Sequence, residues 1–269
     1  MLVEGRHFLP GADAEALGHK ALAVNLSDLA AMGAAPRWAT LALALPAADE
    51  RWLAGFARGF FALAERFGVD LVGGDTTRSP LLTISITALG EVPSGVAMYR
   101  AAVRPGDDIW VSGELGGAAL ALAHPEVAEV ADRLHRPEPR VELGERLRGL
   151  ARAAIDVSDG LAGDLAHILE RSHVGAVVEY ARLPRPAVFA KFPGLERDCV
   201  LSGGDDYELL FTAAQAQGAE IEALARELRI PLTRIGAIQA GAGKLLVLDA
   251  AGKPMAHRAG FDHFAPGAK

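Results

Sequence analysis

The apolar residues of this chain alternate between helical and strand-like spacing, and this alternation limits the fold more than any other feature. Between Asp13 and Met32 the apolar side chains recur every three or four positions, which predicts a helix that Gly33 ends. The next segment, TLALALP, alternates with a period of two and is predicted to be a strand that Pro46 ends. Residues 49–67 return to helical spacing. Such alternation predicts a mixed α/β (α+β) chain.

Two units of this kind follow one another along the chain. The first continues with VDLVGGDTT, predicted as a short strand running into a glycine turn, and with the strand LLTISITALGEV. Pro105 and Gly106 then form a turn in RPGDDIWVSG, where a new strand begins. We therefore predict a boundary near residues 98–106, with an N-terminal domain of sheet and helices at 1–100 and a C-terminal α/β domain at 101–269.

The C-terminal unit is predicted to combine helices and strands. Helical spacing occurs near 116–123, 138–152 and 216–228, and AIDVSDG ends a strand that turns into a helix from about Leu161. The segments AVVEY, TRIGAI and KLLVLD have strand composition. VLSGGDDYELLFTA is interpreted as two strand-like pieces joined by a Gly-Asp turn.

Composition and charge exclude several classes of protein. The 269 residues carry a net charge of −7 and contain no long basic run, which argues against nucleic acid as the main partner. No apolar run reaches the ~18 residues that cross a bilayer, so no membrane partner is expected and the predicted compartment is the cytoplasm. The single cysteine, Cys199, excludes an internal disulfide and a multi-cysteine metal site, and we predict that it is a small buried apolar side chain.

Aspartate recurs at turns and element ends that lie among apolar residues. The positions are Asp28 in VNLSDLAAMG, Asp75 after two glycines, Asp156 and Asp159 in DVSDG, and Asp205 and Asp206 in GGDDY. Each has a structural interpretation of its own: a solvated break in the helix for Asp28, a turn for Asp75 and Asp205, and a helix cap for Asp159. The adjacent Asp205 and Asp206 would point to opposite sides of an extended segment, so one of them can face a cleft.

Taken as a set, these carboxylates indicate a cation site. Carboxylates that share a cleft raise one another's pKa by repulsion, and a bound cation offsets that repulsion. Oxygen ligands without a cysteine or histidine cluster favour Mg²⁺, whose coordination shell phosphates usually complete. The segments GGD, SGELGG and SDG offer backbone N–H groups to an anion. Neither a P-loop nor the G-x-G-x-x-G pattern is present, so a nucleotide would be held by Mg²⁺, glycine turns and occasional arginines.

Seven segments of the chain stand in the order found in a known enzyme family. They are EGRHF, ALAVNLSDLAAMGA, LVGGDTTR, RPGDDIWVSG, AIDVSDGLAGDLAHIL, SGGDDYELLFT and GFDHF, and they extend essentially from residue 1 to Phe264. The chain thus resembles the thiamine-monophosphate kinases, of the superfamily of aminoimidazole ribonucleotide synthetase and selenophosphate synthetase. The resemblance implies the two-domain fold of that superfamily and ATP-dependent phosphorylation of thiamine phosphate to thiamine diphosphate. It also implies a homodimer whose N-terminal domains form a shared sheet, with the active site in a cleft between domains.

The resemblance also implies roles for particular residues. Mg²⁺ would be held by Asp28, Asp75, Asp156 and Asp159. ATP would contact Gly74, Asp75, Arg100 and Ser158. Thiamine phosphate would contact His7, Asp205 and Phe261, and Asp205 stands where the family usually has glutamate. No general base is expected, because the accepting phosphate monoester, with a second pKa of about 6, is already largely ionised. Lys20 is interpreted either as a cation that neutralises phosphate or as a solvated helix lysine.

Two alternatives accompany this interpretation. Another member of the superfamily is the first, although selenophosphate synthetase would carry a reactive cysteine or selenocysteine near its N-terminus and GFDHF fits the aminoimidazole ribonucleotide enzyme poorly. The second is a relative that binds nucleotide or thiamine phosphate without turnover. In the family an Asp directly precedes the MLVEG-type string and a Gly-Asp-Asp motif lies further upstream. We therefore expect the natural protein to be longer at its N-terminus and the chain as given to have strongly reduced activity.

Overall fold

The computed structural model describes residues 1–241, 243–258 and 260, and it contains two β-sheets. The strands of the N-terminal sheet are β1 (Leu2–Val3), β2 (Ala35–Leu45), β3 (Asp70–Arg78) and β4 (Thr83–Glu91). They lie in the order β1-β4-β2-β3, with β2 parallel to β3 and antiparallel to β4. This order leaves β1 and β3 at opposite edges of the sheet.

Two helices, α1 (Ala14–Ala31) and α2 (Glu50–Phe67), accompany this sheet, as the apolar spacing predicts. Each begins at an aspartate whose carboxylate accepts backbone N–H groups of the first turn, Asp13 for α1 and Asp49 for α2. α2 ends at Gly68, which has a left-handed φ of 64° that a residue without Cβ adopts at little cost. The sequence signals for starts and stops therefore located both helices to within a residue or two.

The two helices cross with their backbones in contact, because each has a glycine at the crossing. A Cβ atom on Gly18 of α1 would lie 2.0 Å from the carbonyl oxygen of Phe56. A Cβ atom on Gly59 of α2 would lie 1.8 Å from the carbonyl oxygen of Glu15. Any larger side chain at either position would force the helices apart, so the crossing depends on both glycines.

The C-terminal sheet contains seven strands within the described residues. They are β5 (Asp108–Ser112), β6 (Ala151–Asp156), β7 (Gly175–Glu179), β8 (Leu209–Ala213), β9 (Leu232–Gln239), β10 (Leu245–Leu248) and β11 (Pro254–Met255). The accompanying helices are α3 (Gly117–Ala123), α4 (Ala128–His135), α5 (Val141–Arg146), α6 (Leu161–Ser172), α7 (Glu196–Ser202) and α8 (Gly218–Leu228).

These strands lie in the order β11-β10-β7-β9-β5-β8-β6. Only the β7–β10 pair is parallel among those described, so the sheet is largely antiparallel. The predicted mixed α/β class is confirmed. The predicted boundary near 98–106 falls in the segment between β4 and β5, and the division into domains at 1–100 and 101–269 stays a prediction.

Three local predictions of secondary structure were wrong. VDLVGGDTT does not turn at its glycines, because β3 pairs with β2 from Asp70 to Arg78 with one shift of register after Leu71, and Gly74 lies opposite Leu41. The helix predicted at 138–152 ends early: Gly149 has a φ of 80°, and the residues after it form β6. The first piece of VLSGGDDYELLFTA belongs to α7, since a short apolar run does not distinguish a buried helix from a strand.

Helix α1 lies between the two sheets and joins their cores. A single apolar cluster contains Leu22 of α1, Phe60 of α2 and Phe211 of β8. α5 also touches α1 at backbone distance, because a Cβ atom on Gly144 would lie 2.1 Å from the carbonyl oxygen of Ala30. The packed interior therefore continues from the N-terminal sheet to the C-terminal sheet through α1.

The remaining sequence predictions about burial can be compared directly with the structure. Cys199 is buried in the C-terminal core, as predicted, and burial raises the pKa of its thiol to about 11. Among the helices of the described residues, none combines the length and the apolar character that crossing a bilayer requires.

Replacement of Gly59 by alanine tests the helix crossing. Gly59→Ala is expected to lower the free energy of unfolding by at least about 2 kcal/mol, because the added methyl group overlaps the carbonyl oxygen of Glu15. Alanine is otherwise the better helix former by roughly 1 kcal/mol, so urea unfolding would report the cost of the crossing itself. Gly218→Ala is the matched control, since a Cβ atom there would make an ordinary contact of 3.8 Å with Trp110. A Gly59→Ala protein as stable as the wild type would contradict this account.

Candidate active site

A cavity of about 740 Å³ lies where α1, the loop after β1 and the ends of two C-terminal segments meet. Six of the residues predicted from the sequence line it: His7, Asp28, Asp156, Ser158, Asp159 and Asp205. They come from four separate parts of the chain. The fold therefore brings together most of the predicted site within one chain.

Asp28 of α1 and Asp156 of β6 both line the cavity and are close enough for the charge of Asp28 to act on Asp156. Asp156 is buried at the end of β6 and accepts a hydrogen bond of 2.7 Å from the hydroxyl of Ser27. Burial raises the pKa of Asp156 to about 6, and the charge of Asp28 raises it further. Burial also raises the pKa of Asp28, against the opposing effect of the Arg100 guanidinium. The two carboxylates thus repel each other, as the sequence predicts for a cation site.

The SDG turn after β6 is held by a residue that the sequence analysis did not select. One carboxylate oxygen of Asp164 in α6 accepts the backbone N–H groups of Ser158 and Asp159, each at 3.0 Å. Gly160 takes the N-cap position of α6 with a φ of 101°. Asp159 therefore stands one residue before the cap, at the cavity, and the interpretation of Asp159 as a helix cap was wrong.

The GGDDY segment lies against this turn, because its glycines allow backbone contact. A Cβ atom on Gly204 would lie 2.3 Å from the carbonyl oxygen of Ser158, and one on Gly160 would lie 2.7 Å from the carbonyl carbon of Ser202. Here the glycines serve the packing of one loop on another, a role that the sequence analysis did not assign to them.

The adjacent aspartates of GGDDY face opposite ways, as predicted. Asp206 is buried and accepts the backbone N–H of Gly116 at 2.7 Å, and burial raises its pKa to about 8. Asp205 lines the cavity. Its two carboxylate oxygens accept hydrogen bonds of 2.9 Å from the Lys20 ammonium and from the Tyr207 hydroxyl.

A second cavity of about 350 Å³ adjoins the first. The residues that line both cavities are Arg6, His7, Leu122, Leu134 and Asp205. The other walls of the second cavity are mostly apolar and include Phe8, Leu9 and Leu17. A ligand with one charged end and one apolar end would suit the two cavities together.

Four predicted residues remain, namely Gly74, Asp75, Arg100 and Phe261. Gly74 and Asp75 lie on β3, at the sheet edge opposite β1, and Asp75 is exposed and lines a separate small cavity. Asp75 therefore lines a different cavity from Asp28, Asp156 and Asp159. Arg100 is exposed but close enough to lower the pKa values of Asp28 and Asp156. Phe261 lies outside the described residues.

The comparisons with known proteins show the family of the chain. Residues 1–92 match the model of the AIR synthase related protein N-terminal domain, and residues 104–248 match that of its C-terminal domain. The thiamine-monophosphate kinase of Salmonella typhimurium is 44% identical over an alignment that covers 98% of this chain and 85% of that protein. The chain belongs to the thiamine-monophosphate kinase family.

Solved structures support the same relationship. The crystal structure of thiamine-monophosphate kinase from Stenotrophomonas maltophilia K279a has a TM-score of 0.88 and 49% identity, over 94% of this chain and 84% of that one. AaThiL complexed with AMPPCP and TMP has a TM-score of 0.84 and 31% identity, over 98% of this chain and 85% of that one. The predicted resemblance to the thiamine-monophosphate kinase family is confirmed.

In this family member, the protein ligands for a cation are few. Within residues 1–241, 243–258 and 260, no three histidine, cysteine, aspartate or glutamate side chains converge closely enough to hold a metal alone. Asp28 and Asp156 with their raised pKa values, and Asp159 beside them, still form an oxygen-rich cavity wall that suits a hard cation. Such a cation would take its remaining ligands from phosphates and water.

The sequence analysis left the role of Lys20 open, and the structure decides against a solvated lysine. Lys20 is only 3% exposed. It lies on the same stripe of α1 as the buried residues Ala16, Ala23 and Ser27, at helical spacing. That spacing is the sequence signal that would have placed Lys20 in the interior.

Removal of the Asp164 carboxylate tests how the SDG turn is held. Asp164→Ala is expected to lower the free energy of unfolding by roughly 1–3 kcal/mol, because the N–H groups of Ser158 and Asp159 lose their acceptor. Asp164→Asn is the matched control: it keeps one acceptor oxygen and resembles the protonated acid, whose pKa burial raises to about 7. Urea unfolding at pH 7 compares the variants, and an alanine variant as stable as the asparagine variant would refute the role of Asp164.

Proposed function

We propose that this chain transfers the terminal phosphoryl group of ATP to the phosphate of thiamine monophosphate, giving thiamine diphosphate and ADP. The observation that carries the proposal is one cavity, in a member of the thiamine-monophosphate kinase family, that gathers Asp28, Asp156 and Asp159 beside the Ser158 turn. We place the reaction in the cytoplasm, where ATP is available.

The residues of the cavity serve to position the reactants. Thiamine monophosphate is a phosphate monoester with a second pKa of about 6, so its attacking oxygen is largely ionised at neutral pH and needs no general base. The catalytic task is then alignment and charge neutralisation. The Nδ1 atom of His7 accepts the N–H of Val3 at 3.0 Å, which places the ring proton on Nε2, where it can be donated to the acceptor phosphate. The turn at Ser158 would offer N–H and hydroxyl groups to ATP.

Asp28, Asp156 and Asp159 would hold Mg²⁺ together with phosphate oxygens. The fit rests on the donor set, which is oxygen only, and on the raised pKa values of Asp28 and Asp156, which a nearby positive charge would lower. Bound Mg²⁺ would neutralise the charge of the phosphates during transfer. The chain's own contribution is to fix the carboxylates, as Ser27 does for Asp156.

We further propose that the enzyme is a homodimer in which Asp75 and Gly74 complete the site of the partner subunit. β3 is a sheet edge nine residues long, and such edges usually pair or are covered. The sheet also exposes large apolar side chains: Val72 is 59% exposed, Leu89 46% and Trp38 40%. A second copy covering this sheet would bury them and place Asp75 near a cavity that its own chain does not reach.

Turnover with the proposed substrates is the direct test. ATP and thiamine monophosphate should give thiamine diphosphate in a reaction that requires Mg²⁺, whereas selenide or formylglycinamidine ribonucleotide should not replace the acceptor. Asp156→Asn should lower kcat by roughly 100-fold or more, because it removes a charge while keeping the hydrogen bond from Ser27. Asp132→Asn on exposed α4 is the control and should leave kcat unchanged. Binding of thiamine monophosphate without turnover would favour a non-catalytic relative.

Mixing inactive variants tests the shared site. Asp75→Asn and Asp28→Asn should each abolish turnover, and a 1:1 mixture refolded together should recover about a quarter of the wild-type activity, because half of the dimers would contain one intact site of two. A mixture of Asp28→Asn and Asp156→Asn is the control and should recover nothing, since both residues line the cavity of one chain. The absence of recovery in the first mixture would show that Asp75 acts within its own chain or not at all.

A further inference from the structure

Lys20 is a buried lysine that lines the smaller cavity and contacts Asp205, which lines both cavities. The side chain is 4% exposed, and the ammonium lies 2.9 Å from one carboxylate oxygen of Asp205. A buried ammonium is strongly unfavourable unless a carboxylate compensates it, so the burial of Lys20 depends on its contact with Asp205.

Asp205 is held from a second side as well. Its other carboxylate oxygen accepts the hydroxyl of Tyr207, which is itself buried. Asp205 and Tyr207 both have left-handed backbone conformations, with φ values of 68° and 51°. Residues other than glycine keep such conformations where surrounding contacts fix them, and such positions cluster at ligand sites.

The carboxylate of Asp205 stands where the two cavities meet. The larger cavity contains the aspartates that would hold a cation and phosphates, and the smaller one has mostly apolar walls. An organic cation that carries a phosphate ester would span this junction. Each oxygen of a carboxylate has two acceptor positions, so Asp205 still accepts an N–H group of a ligand after binding Lys20 and Tyr207.

We propose that Lys20 is a positioning residue for the acceptor substrate, acting through Asp205. Its ammonium holds the Asp205 carboxylate in one orientation, so that the remaining acceptor positions of that carboxylate face the organic, N–H-bearing part of the acceptor. ATP is not touched by this pair. The inference rests on the proposed function, because it names the residue pair that recognises the acceptor of that reaction.

The kinetic split between the two substrates is the first test. Lys20→Met should raise KM for thiamine monophosphate about tenfold or more, since a charge-assisted contact is lost or misdirected. It should leave KM for ATP within about twofold of the wild type. Lys191→Met is the matched control, because that lysine is exposed and paired with Glu129 at the surface, and both constants should stay unchanged. A Lys20→Met enzyme with a raised KM for ATP, or with an unchanged KM for the acceptor, would overturn the proposal.

A double-mutant cycle separates positioning from direct contact. If Lys20 acts through Asp205, then Lys20→Met, Asp205→Asn and the double variant should raise KM for thiamine monophosphate by similar factors. If Lys20 binds the acceptor phosphate itself, the factors of the single variants should multiply, which would overturn the positioning role. Tyr207→Phe removes the second hydrogen bond to Asp205 without leaving a buried charge unpaired. Tyr207→Phe should raise KM for thiamine monophosphate by a smaller factor, and it provides the test if Lys20→Met does not fold.

Calorimetric titration with thiamine monophosphate distinguishes this inference from the proposed function. If the wild type binds thiamine monophosphate but does not turn it over, the proposed function fails. The Kd for thiamine monophosphate then decides the inference. Lys20→Met, Asp205→Asn and the double variant should raise this Kd by similar factors. Equal Kd values for the wild type and the Lys20→Met protein would overturn it whatever the turnover, and so would a wild type that does not bind thiamine monophosphate.

Discussion

The close packing of helix α1 between two sheets is the constraint on which the rest of the structure depends. Three helical backbones touch because a glycine lies at each contact: Gly18 on α1, Gly59 on α2 and Gly144 on α5. With its distance to both neighbours fixed in this way, α1 has little freedom to shift or rotate. Three polar residues of α1 then have fixed positions at the junction of the sheets: Lys20, Ser27 and Asp28. One helix therefore organises the core and the candidate site at once.

The carboxylates near the cavity divide into those that the protein compensates and those that it leaves to a ligand. Asp206 accepts backbone N–H groups, Asp164 does the same for the SDG turn, and Asp205 is paired with Lys20. Asp28 and Asp156 instead both line the cavity, where the charge of Asp28 raises the pKa of Asp156 and Arg100 only partly offsets this repulsion. Carboxylates of the second kind raise the free energy of the folded protein unless a cation is bound. This is a physical reason to interpret them as binding residues.

Local patterns in the sequence predicted most elements of the fold, and six of the predicted site residues line the cavity, but these patterns did not predict the pairings between distant segments. The capping aspartates and Gly68 marked the helix ends, because those signals are local. Gly74 was interpreted as part of a turn because its partner Leu41 lies thirty-three positions earlier in the chain. Asp75 joined the predicted metal set through family resemblance, and only the strand order shows it at the opposite edge of the sheet. Lys20 was left undecided because its charge suggests the surface while its helical spacing places it inside.

Position 205 carries an aspartate, where the family resemblance leads us to expect a glutamate, and this difference affects how the side chain can contact a ligand. A shorter side chain than glutamate reaches less far into a cavity, so its usefulness depends on how firmly it is held. Lys20 and Tyr207 hold it from two sides, and Lys20 belongs to α1 while Asp205 precedes a strand of the other sheet. The ion pair therefore ties the two halves of the fold together at the wall that the ligand would meet. Packing at the helix crossings then sets the geometry of this contact, because it fixes where α1 presents its lysine.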